Sequence, residues 1–240
     1  KKTVLSKLAH SWRLYVLLLP ALVYIIVFHY FPMYGLQIAF RDYRAKLGFW
    51  SSPWAGLKHF EYFINSPQFS TLLINTVLLS VETMIFTFPL PIVLALLLNE
   101  CNNIHFKKVV QNITYAPHFI STVVLCGMVA LFVAPDTGIV NTIVQALGGQ
   151  NVDYLGKEEW FRPLYIISDI WKNTGWSSII YLGALSGIDP QLQESAQIDG
   201  ASRLQRMWHI NLPGIRGTII LLFIMECGKI MSVGFEKVYL

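Results

Sequence analysis

Five long apolar stretches, separated by polar segments, dominate the pattern of residues along the chain. They run over 14–31, 71–98, 109–133, 163–188 and 217–233, and the fourth is more polar than the others. A bilayer core about 30 Å thick requires about 20 mostly apolar residues in a helix. Because backbone groups that face lipid must pair within their own segment, such stretches form helices rather than open strands. The pattern therefore predicts an all-α, polytopic membrane helix bundle with about five spans.

Two local patterns add detail to these spans. Pro89 and Pro91 in the second stretch and Pro117 in the third lack the N–H group that a helix interior needs, so we expect kinks there. Between the first two stretches, apolar residues recur at helical spacing over 57–64. This segment predicts a short helix at the membrane interface.

Basic residues indicate how the first span is oriented. Lys1, Lys2, Lys7 and Arg13 precede it, and the residues after it offer no small-residue cleavage site, which favours an uncleaved anchor over a signal peptide. We therefore expect a cytoplasmic N-terminus. With a cytoplasmic N-terminus, the segments expected inside are 1–13, 99–108 and 187–216, and those expected outside are 32–70, 134–162 and 234–240. The inside segments hold nine Lys and Arg residues and the outside segments hold seven, which is weak support from the positive-inside rule.

Composition agrees with a membrane protein. The 240 residues are 54% hydrophobic and only 13% charged, about half the charged fraction of a soluble domain. This excludes an ordinary soluble enzyme and a disordered chain. The net charge of +4 is too small and scattered for a nucleic-acid binder. Three cysteines, odd in number and far apart, predict no disulfide framework or zinc site and are expected to be buried.

The chain begins without Met and its fifth predicted span is followed by only a few residues, ending at Leu240. We expect it to be a piece of a longer protein, with at least one further span after Leu240.

A polar segment between the fourth and fifth spans has a strong local pattern. Asp189 can cap a helix and Pro190 fits its first position, so we expect a helix over 191–199. Gly200 is the residue best able to adopt the left-handed conformation that ends it. The segment is then expected to turn sharply.

A second short helix is expected directly after that turn. Ser202 can cap a helix over 203–211, and Pro213 is expected to close it. One interpretation is a structured connector that packs on its own bundle. The other is a docking element, because the segment is long for a connector and presents small residues beside the carboxylate of Glu194.

These residues resemble the EAA signature of the permease subunits of bacterial ABC importers. The positions that match in register are Glu194, Ala196, Gly200, Ile210, Leu212 and Pro213. Asp199 and Ala201 fit the common Asp-Gly-Ala form, and the one departure is Ser195, where Ala is usual.

The resemblance covers nearly the whole chain, including 106–121, 160–190 and 232–240. The chain resembles the carbohydrate-importer branch of this family, which includes the maltose permeases. Within that branch it is most similar to permeases for oligosaccharides from polysaccharide breakdown, such as acidic alginate oligosaccharides. The resemblance implies a type I importer fold in which 1–240 is a single transmembrane domain and 189–213 is a cytoplasmic coupling loop.

The resemblance also implies a mechanism and partners. The residues that would couple to the ATPase are Glu194, Ser195, Ala196, Asp199, Gly200, Ala201 and Pro213. The chain would lie in the bacterial inner membrane and translocate oligosaccharides by alternating access. Its partners would be a second, paralogous permease, two ATP-binding subunits, an extracytoplasmic solute-binding protein, the sugar and membrane lipid. No G-x-x-x-x-G-K-[ST] phosphate loop is present, so ATP and Mg²⁺ are expected in the partner ATPase and no cofactor in this chain.

Polar residues inside the later spans are candidates for a substrate path. The set is Tyr165, Asp169, Trp171, Lys172, Asn173, Trp176, Glu226 and Lys229. Asp169 with Lys172, and Glu226 with Lys229, are i, i+3 pairs on one helix face. They could be self-neutralising pairs packed against other helices, or they could line a hydrophilic route. The two lysines would suit an anionic sugar, although their acidic neighbours partly cancel that argument.

Two other functions are weighed against an importer subunit. A membrane enzyme would need a nucleophile–base set or metal ligands, and neither H-E-x-x-H nor G-x-S-x-G occurs. A channel or secondary transporter would need no ATPase partner and could show two similar halves, which the sequence lacks.

Overall fold

The computed structural model describes residues 12–232 and 237–238. Across them the regular structure is helical, with an isolated bridge between Arg41 and Trp54. The chain divides into two compact units, Lys1–Thr71 and Leu72–Leu240. The predicted basic cluster of Lys1, Lys2 and Lys7 lies outside the described residues.

The first unit is built on one long helix. Helix α1, Trp12–Phe40, contains a π-helical segment at Ile26–Tyr30 and ends in 3-10 geometry at Tyr34–Phe40. At about 1.5 Å per residue its 29 residues exceed the thickness of a bilayer core. The first predicted span is therefore confirmed as a helix, longer than expected at its C-terminal end.

Polar contacts order the segment that follows α1. Arg41 Nη1 donates to the carbonyl oxygens of Trp50 and Ser52, each at 3.1 Å. Lys58 Nζ lies 2.9 Å from Asp42 Oδ2, and this hydrogen bond lowers the pKa of the Asp42 carboxyl. Two short helices, α2 (Gly48–Ser51) and α3 (Lys58–Ile64), belong to this segment, and α3 is the helix predicted over 57–64.

The second unit contains the remaining helices. They are α4 (Phe69–Asn99, which starts at the end of the first unit), α5 (Ile104–Phe119), α6 (Thr122–Phe132), α7 (Ile139–Ala146), α8 (Glu158–Leu185), α9 (Pro190–Ile198), α10 (Arg203–Gly214) and α11 (Arg216–Cys227). By length and apolar composition α1 and α4 could each cross a membrane, and up to four spans result if the bent pairs α5–α6 and α10–α11 each count as one. Helix α8 is long enough but more polar.

The prolines of the second and third predicted spans have different effects. Helix α4 runs as one helix of 31 residues. It contains a turn at Phe88, and Pro89 lies in the first turn of the helical segment that follows, Pro89–Asn99. The third predicted span is not one kinked helix but two separate helices, α5 and α6, which meet at an angle of 106°. Pro117 lies in a 3-10 turn, and Ser121 Oγ accepts from Val124 N–H at 3.3 Å to start a new helix.

The fifth predicted span was expected to continue to residue 233, and this end is wrong. Helix α11 ends at Cys227 and turns follow it, so 12 helical residues remain. Its first residues continue α10 across a bend of 62°. The segment just before the fifth span and the span itself therefore form one bent helical element.

Helix α8 is the centre of the second unit and packs against α4 and α5. Its Tyr181 and Leu185 join Ala95, Leu96 and Ile215 in the buried apolar cluster. Where α8 meets α5, Gly175 is buried, and a methyl group there would overlap the Thr114 carbonyl and approach Thr114 Cβ to 2.8 Å. The missing side chain lets the two helices approach this closely.

We expect Gly175→Ala to destabilise the protein, because the added methyl group meets backbone that cannot move aside. The cost should be about 1–3 kcal/mol, as for other overpacked sites. The measurement is the thermal unfolding midpoint of the purified protein in detergent.

Gly183→Ala is the matched control, since Gly183 lies on the same helix and no described atom beyond its local backbone comes within 4 Å of the added carbon. It should be neutral or slightly stabilising. Equal midpoints for the two variants would contradict the close approach of α5 and α8.

Candidate functional site

Helix α9 and the turn after it follow the local pattern of the sequence. Asp189 Oδ1 accepts from Gln191 N–H at 3.0 Å, and Pro190 occupies the first turn. The helix ends at Ile198, and Gly200 has φ +78°, a backbone conformation that disfavours residues with a Cβ. The first helix and sharp turn of the predicted coupling loop are confirmed.

Helix α10 is held at its start by a capping box. Ser202 Oγ accepts from Gln205 N–H at 3.4 Å, and Gln205 Oε1 accepts from Ser202 N–H at 2.7 Å. Pro213 lies one residue before the end of α10 at Gly214, close to where the sequence predicted that it closes the helix. It follows a π-helical segment at Met207–Asn211 and falls in the first turn of the short α-helical segment Leu212–Gly214, a position that proline tolerates.

The surface of the α9–α10 hairpin is partly apolar. The exposed apolar side chains are Leu192, Ile198, Leu204 and Trp208, and Ile198 is 86% exposed. A groove of about 280 Å³ between the helices is lined by Ala196, Asp199, Gly200 and Ala201, among others. Of the other predicted coupling residues, Glu194, Ser195 and Pro213 are exposed beside the groove rather than lining it.

A buried polar cluster lies at the base of the hairpin, and the sequence analysis missed it. Glu100, at the end of α4, binds Arg206 and Asn211 of α10, and Asn211 also binds Gln193 of α9. The paired residues Glu100 and Arg206 are 106 positions apart, so no local spacing could have indicated the contact.

A second candidate site is a polar cavity between α4, α8 and α11. It consists of two adjoining spaces of about 250 and 380 Å³ that share Thr87, Asp169, Asn173, Glu226 and Lys229. Tyr165 lines the first of them. The structure thus brings together five of the eight predicted substrate-path residues.

The remaining three predicted path residues lie elsewhere. Trp176 stacks on His118 with ring centres 4.6 Å apart and parallel planes, in the bend between α5 and α6. Lys172 Nζ donates to Thr122 Oγ1 at 3.3 Å. Trp171 is exposed and lines neither space.

Of the two predicted ion pairs, the one between Glu226 and Lys229 is present, and the prediction of a pair between Asp169 and Lys172 is wrong. Lys229 Nζ lies 2.9 Å from Glu226 Oε2, as expected. Asp169 does not pair with Lys172. Its Oδ1 accepts instead from Asn173 at 3.2 Å and from Lys237 at 3.3 Å, because Lys172 is turned towards the start of α6.

Lys237 is a partner of Asp169 that the sequence analysis missed. Its side chain is only 12% exposed, and its ammonium nitrogen donates to the Tyr165 carbonyl at 2.7 Å and lies 3.9 Å from the centre of the Tyr165 ring. Because Lys237 follows the last apolar stretch, the sequence indicates a terminal loop there and no contact with Asp169. Lys237 does not line the cavity itself but lines a neighbouring pocket beside Tyr165 and Ser168, from which it donates to Asp169.

A further ion pair joins α4 to α8. Arg162 Nη1 lies 3.2 Å from Glu82 Oε1, and Arg162 Nη2 donates to Asn75 Oδ1 at 3.4 Å.

The expectation that the three cysteines are buried is wrong. Cys101, Cys126 and Cys227 are free thiols and are half-buried.

Comparison with known proteins identifies the class of protein to which this architecture belongs. Residues 73–232 match the family described as binding-protein-dependent transport system inner membrane component. The polygalacturonan/rhamnogalacturonan transport system permease protein YteP of Bacillus subtilis is 46% identical over 240 residues, covering 100% of this chain and 75% of that protein. Protein LplB of Bacillus subtilis is 44% identical over 227 residues, covering 95% and 71%.

Two solved structures are similar over almost the whole chain. One is a bacterial ABC transporter involved in the import of the acidic polysaccharide alginate, with TM-score 0.89 and 41% identity, covering 99% of this chain and 82% of that one. The other is a bacterial alginate ABC transporter in complex with an alginate pentasaccharide-bound periplasmic protein, with TM-score 0.88 and 42% identity, covering 98% and 78%.

The chain therefore belongs to the inner membrane components of binding-protein-dependent transport systems, the permease subunits of ABC importers. It is a membrane permease subunit and not itself an enzyme. The predicted fold class and the resemblance to permeases of carbohydrate importers are both confirmed.

Proposed function

We propose that this chain imports acidic oligosaccharides across the inner membrane by alternating access, and that a separate ATPase drives it through the loop 189–213. In this proposal two ATP-binding subunits hold the ATP and Mg²⁺. A second, paralogous permease completes the pathway, and an extracytoplasmic binding protein delivers the sugar. The N-terminus and the loop face the cytoplasm.

The observation that carries the proposal is the continuity between the loop and the polar cavity. Helix α8 carries Asp169 and Asn173 and ends at Leu185, just before α9. Helix α11 continues α10 and carries Glu226. At about 1.5 Å per residue, these cavity residues lie about 15–25 Å along each helix from the loop. Movement of the loop would therefore move two cavity walls, as alternating access requires.

The loop surface supports docking of another subunit. Leu192, Ile198, Leu204 and Trp208 are exposed on it, although water is an unfavourable environment for such side chains. The lining of the adjacent groove includes three small residues, Ala196, Gly200 and Ala201, so that a partner's side chain could approach the backbone closely there. A channel or secondary transporter would have no use for such a surface.

The charges at the cavity are compatible with an anionic cargo. The charged side chains that line it are Asp169, Glu226 and Lys229. Glu226 pairs with Lys229, and Asp169 pairs with Lys237 from a neighbouring pocket. Because both carboxylates are neutralised, they do not repel a uronate oligosaccharide. The named substrates of the similar transporters, polygalacturonan and alginate, are of this class.

Gly200→Val tests the docking of the ATPase. The branched side chain is strained at φ +78° and should deform the turn between α9 and α10. We expect normal insertion into the membrane but loss of ATPase co-purification, or of ATP hydrolysis stimulated by the sugar-loaded binding protein.

Gly217→Val is the matched control, because Gly217 lies near the loop with ordinary φ and its added carbon meets no described atom within 4 Å. It should retain most of the stimulated hydrolysis. If Gly200→Val transported sugar as well as the native chain, the docking proposal would be wrong.

Lys237→Gln tests the choice of cargo. Removing this ammonium group leaves Asp169 without its partner, so the cavity should repel an anionic sugar. At a few ångströms, and with an effective dielectric constant of about 20, one charge is worth a few kcal/mol, so uptake of a uronate trisaccharide should fall about tenfold or more.

Uptake should be measured in proteoliposomes with the uronate trisaccharide and with its uncharged methyl ester, whose transport should change little. Lys157→Gln, which alters an exposed lysine, is the control. Equal losses for the charged and uncharged sugars would contradict an electrostatic role of Lys237.

A further inference from the structure

The buried cluster at the base of the α9–α10 hairpin connects three helices through hydrogen bonds between side chains. Glu100 caps the C-terminal end of α4. Its Oε2 accepts from Arg206 Nη2 at 3.0 Å and its Oε1 accepts from Asn211 Nδ2 at 3.0 Å. Asn211 Oδ1 in turn accepts from Gln193 Nε2 of α9. We call these four residues the carboxylate clamp.

The carboxylate clamp is shielded from solvent. The side chains of Glu100 and Arg206 are each 13% exposed, and Asn211 is completely buried. Next to it, Met207 and Leu212 pack on the apolar cluster that contains Leu185 and Ile215. Hydrogen bonds to charged groups are stronger in such surroundings. Removing one partner leaves an unpaired buried charge, which lowers the stability of the protein.

The position of the clamp gives it a mechanical role. The hairpin is joined to the bundle by two connections, and both are bent. One is the turn over 186–189 between α8 and α9, and the other is the bend of 62° before α11. A pair of short helices between two bends can pivot. The clamp is a third attachment, and it leads to a different helix, α4, which also lines the cavity through Thr87.

We propose that Glu100 is a positioning residue for energy coupling. By holding both helices of the hairpin against the end of α4, it makes the hairpin move with the bundle, so that force on the loop reaches the cavity instead of rotating the hairpin. This inference rests on the proposed docking of an ATPase at 189–213. Glu100 does not touch the sugar or the nucleotide in this account.

Glu100→Ala in the fully assembled transporter is the primary test. We expect the ATPase to remain associated and its basal hydrolysis to be unchanged. The amount of sugar transported per ATP hydrolysed should fall by roughly 2- to 30-fold, the range that altered coupling residues produce. A residue that matters only for stability would lower the amount of active transporter without changing this ratio.

A charge exchange separates the clamp from a general packing defect. Glu100→Arg should uncouple hydrolysis from transport, and adding Arg206→Glu should restore part of the ratio by re-forming the pair. Should Glu100→Ala fail to assemble, Arg206→Lys gives the same test, since it keeps the charge but loses the reach and planar geometry of the guanidinium group. Asp42→Asn, which breaks the exposed ion pair with Lys58 in the first unit, is the matched control and should leave the ratio unchanged.

The outcomes distinguish this inference from the function on which it rests. If the native chain shows no associated ATPase, the proposed function is wrong. If the native chain couples hydrolysis to transport and Glu100→Ala or Arg206→Lys couples equally well, the clamp inference is overturned. Failure of the double exchange to improve on Glu100→Arg would also contradict it.

Discussion

Mechanical continuity between an exposed hairpin and a polar cavity is the constraint on which this structure depends. Helix α8 leads from the cavity to α9, and α10 leads back through a bend into α11. Stiff helices transmit displacement only if they are packed firmly against each other. The close approach of Gly175 to Thr114 and the apolar cluster around Tyr181 and Ile215 provide that packing. Near the bends, polar side chains add to this apolar packing, since Ser121 caps the start of α6 and Glu100 binds Arg206 and Asn211 of α10.

Charges inside the second unit follow a consistent rule, since a charge removed from water needs a partner. Glu82 pairs with Arg162, Glu100 with Arg206, and Asp169 with Lys237. The partners come from helices or segments far apart in sequence, so each pair also fixes two elements relative to each other. The pairs therefore serve both to neutralise charge and to hold the helices around the cavity in register.

Features that depend on residues close together in the sequence could be predicted, and features that depend on residues far apart in the sequence could not. Asp189, Gly200 and Ser202 act on backbone within a few residues, and the helix start, turn and capping box that they predicted are present. The i, i+3 spacing of Asp169 and Lys172 predicted a pair that is absent, because a lysine 68 positions away from Asp169 lies closer to it. The sharp bend at Ser121 and the clamp on Glu100 likewise depend on packing between helices, which periodicity in one sequence does not encode.

Cross-linking of a single cysteine at Ile198, in a variant whose three native cysteines are replaced, tests the central claim most directly. Ile198 ends α9 and is 86% exposed, so a cysteine there should react readily. The account predicts a cross-link to the ATPase subunit in the assembled transporter, and none from a cysteine placed at Leu147, which is 83% exposed in a segment expected on the other side of the membrane. Labelling of the Ile198 cysteine from the outer side by a membrane-impermeant reagent, or cross-links only within this chain, would contradict the account.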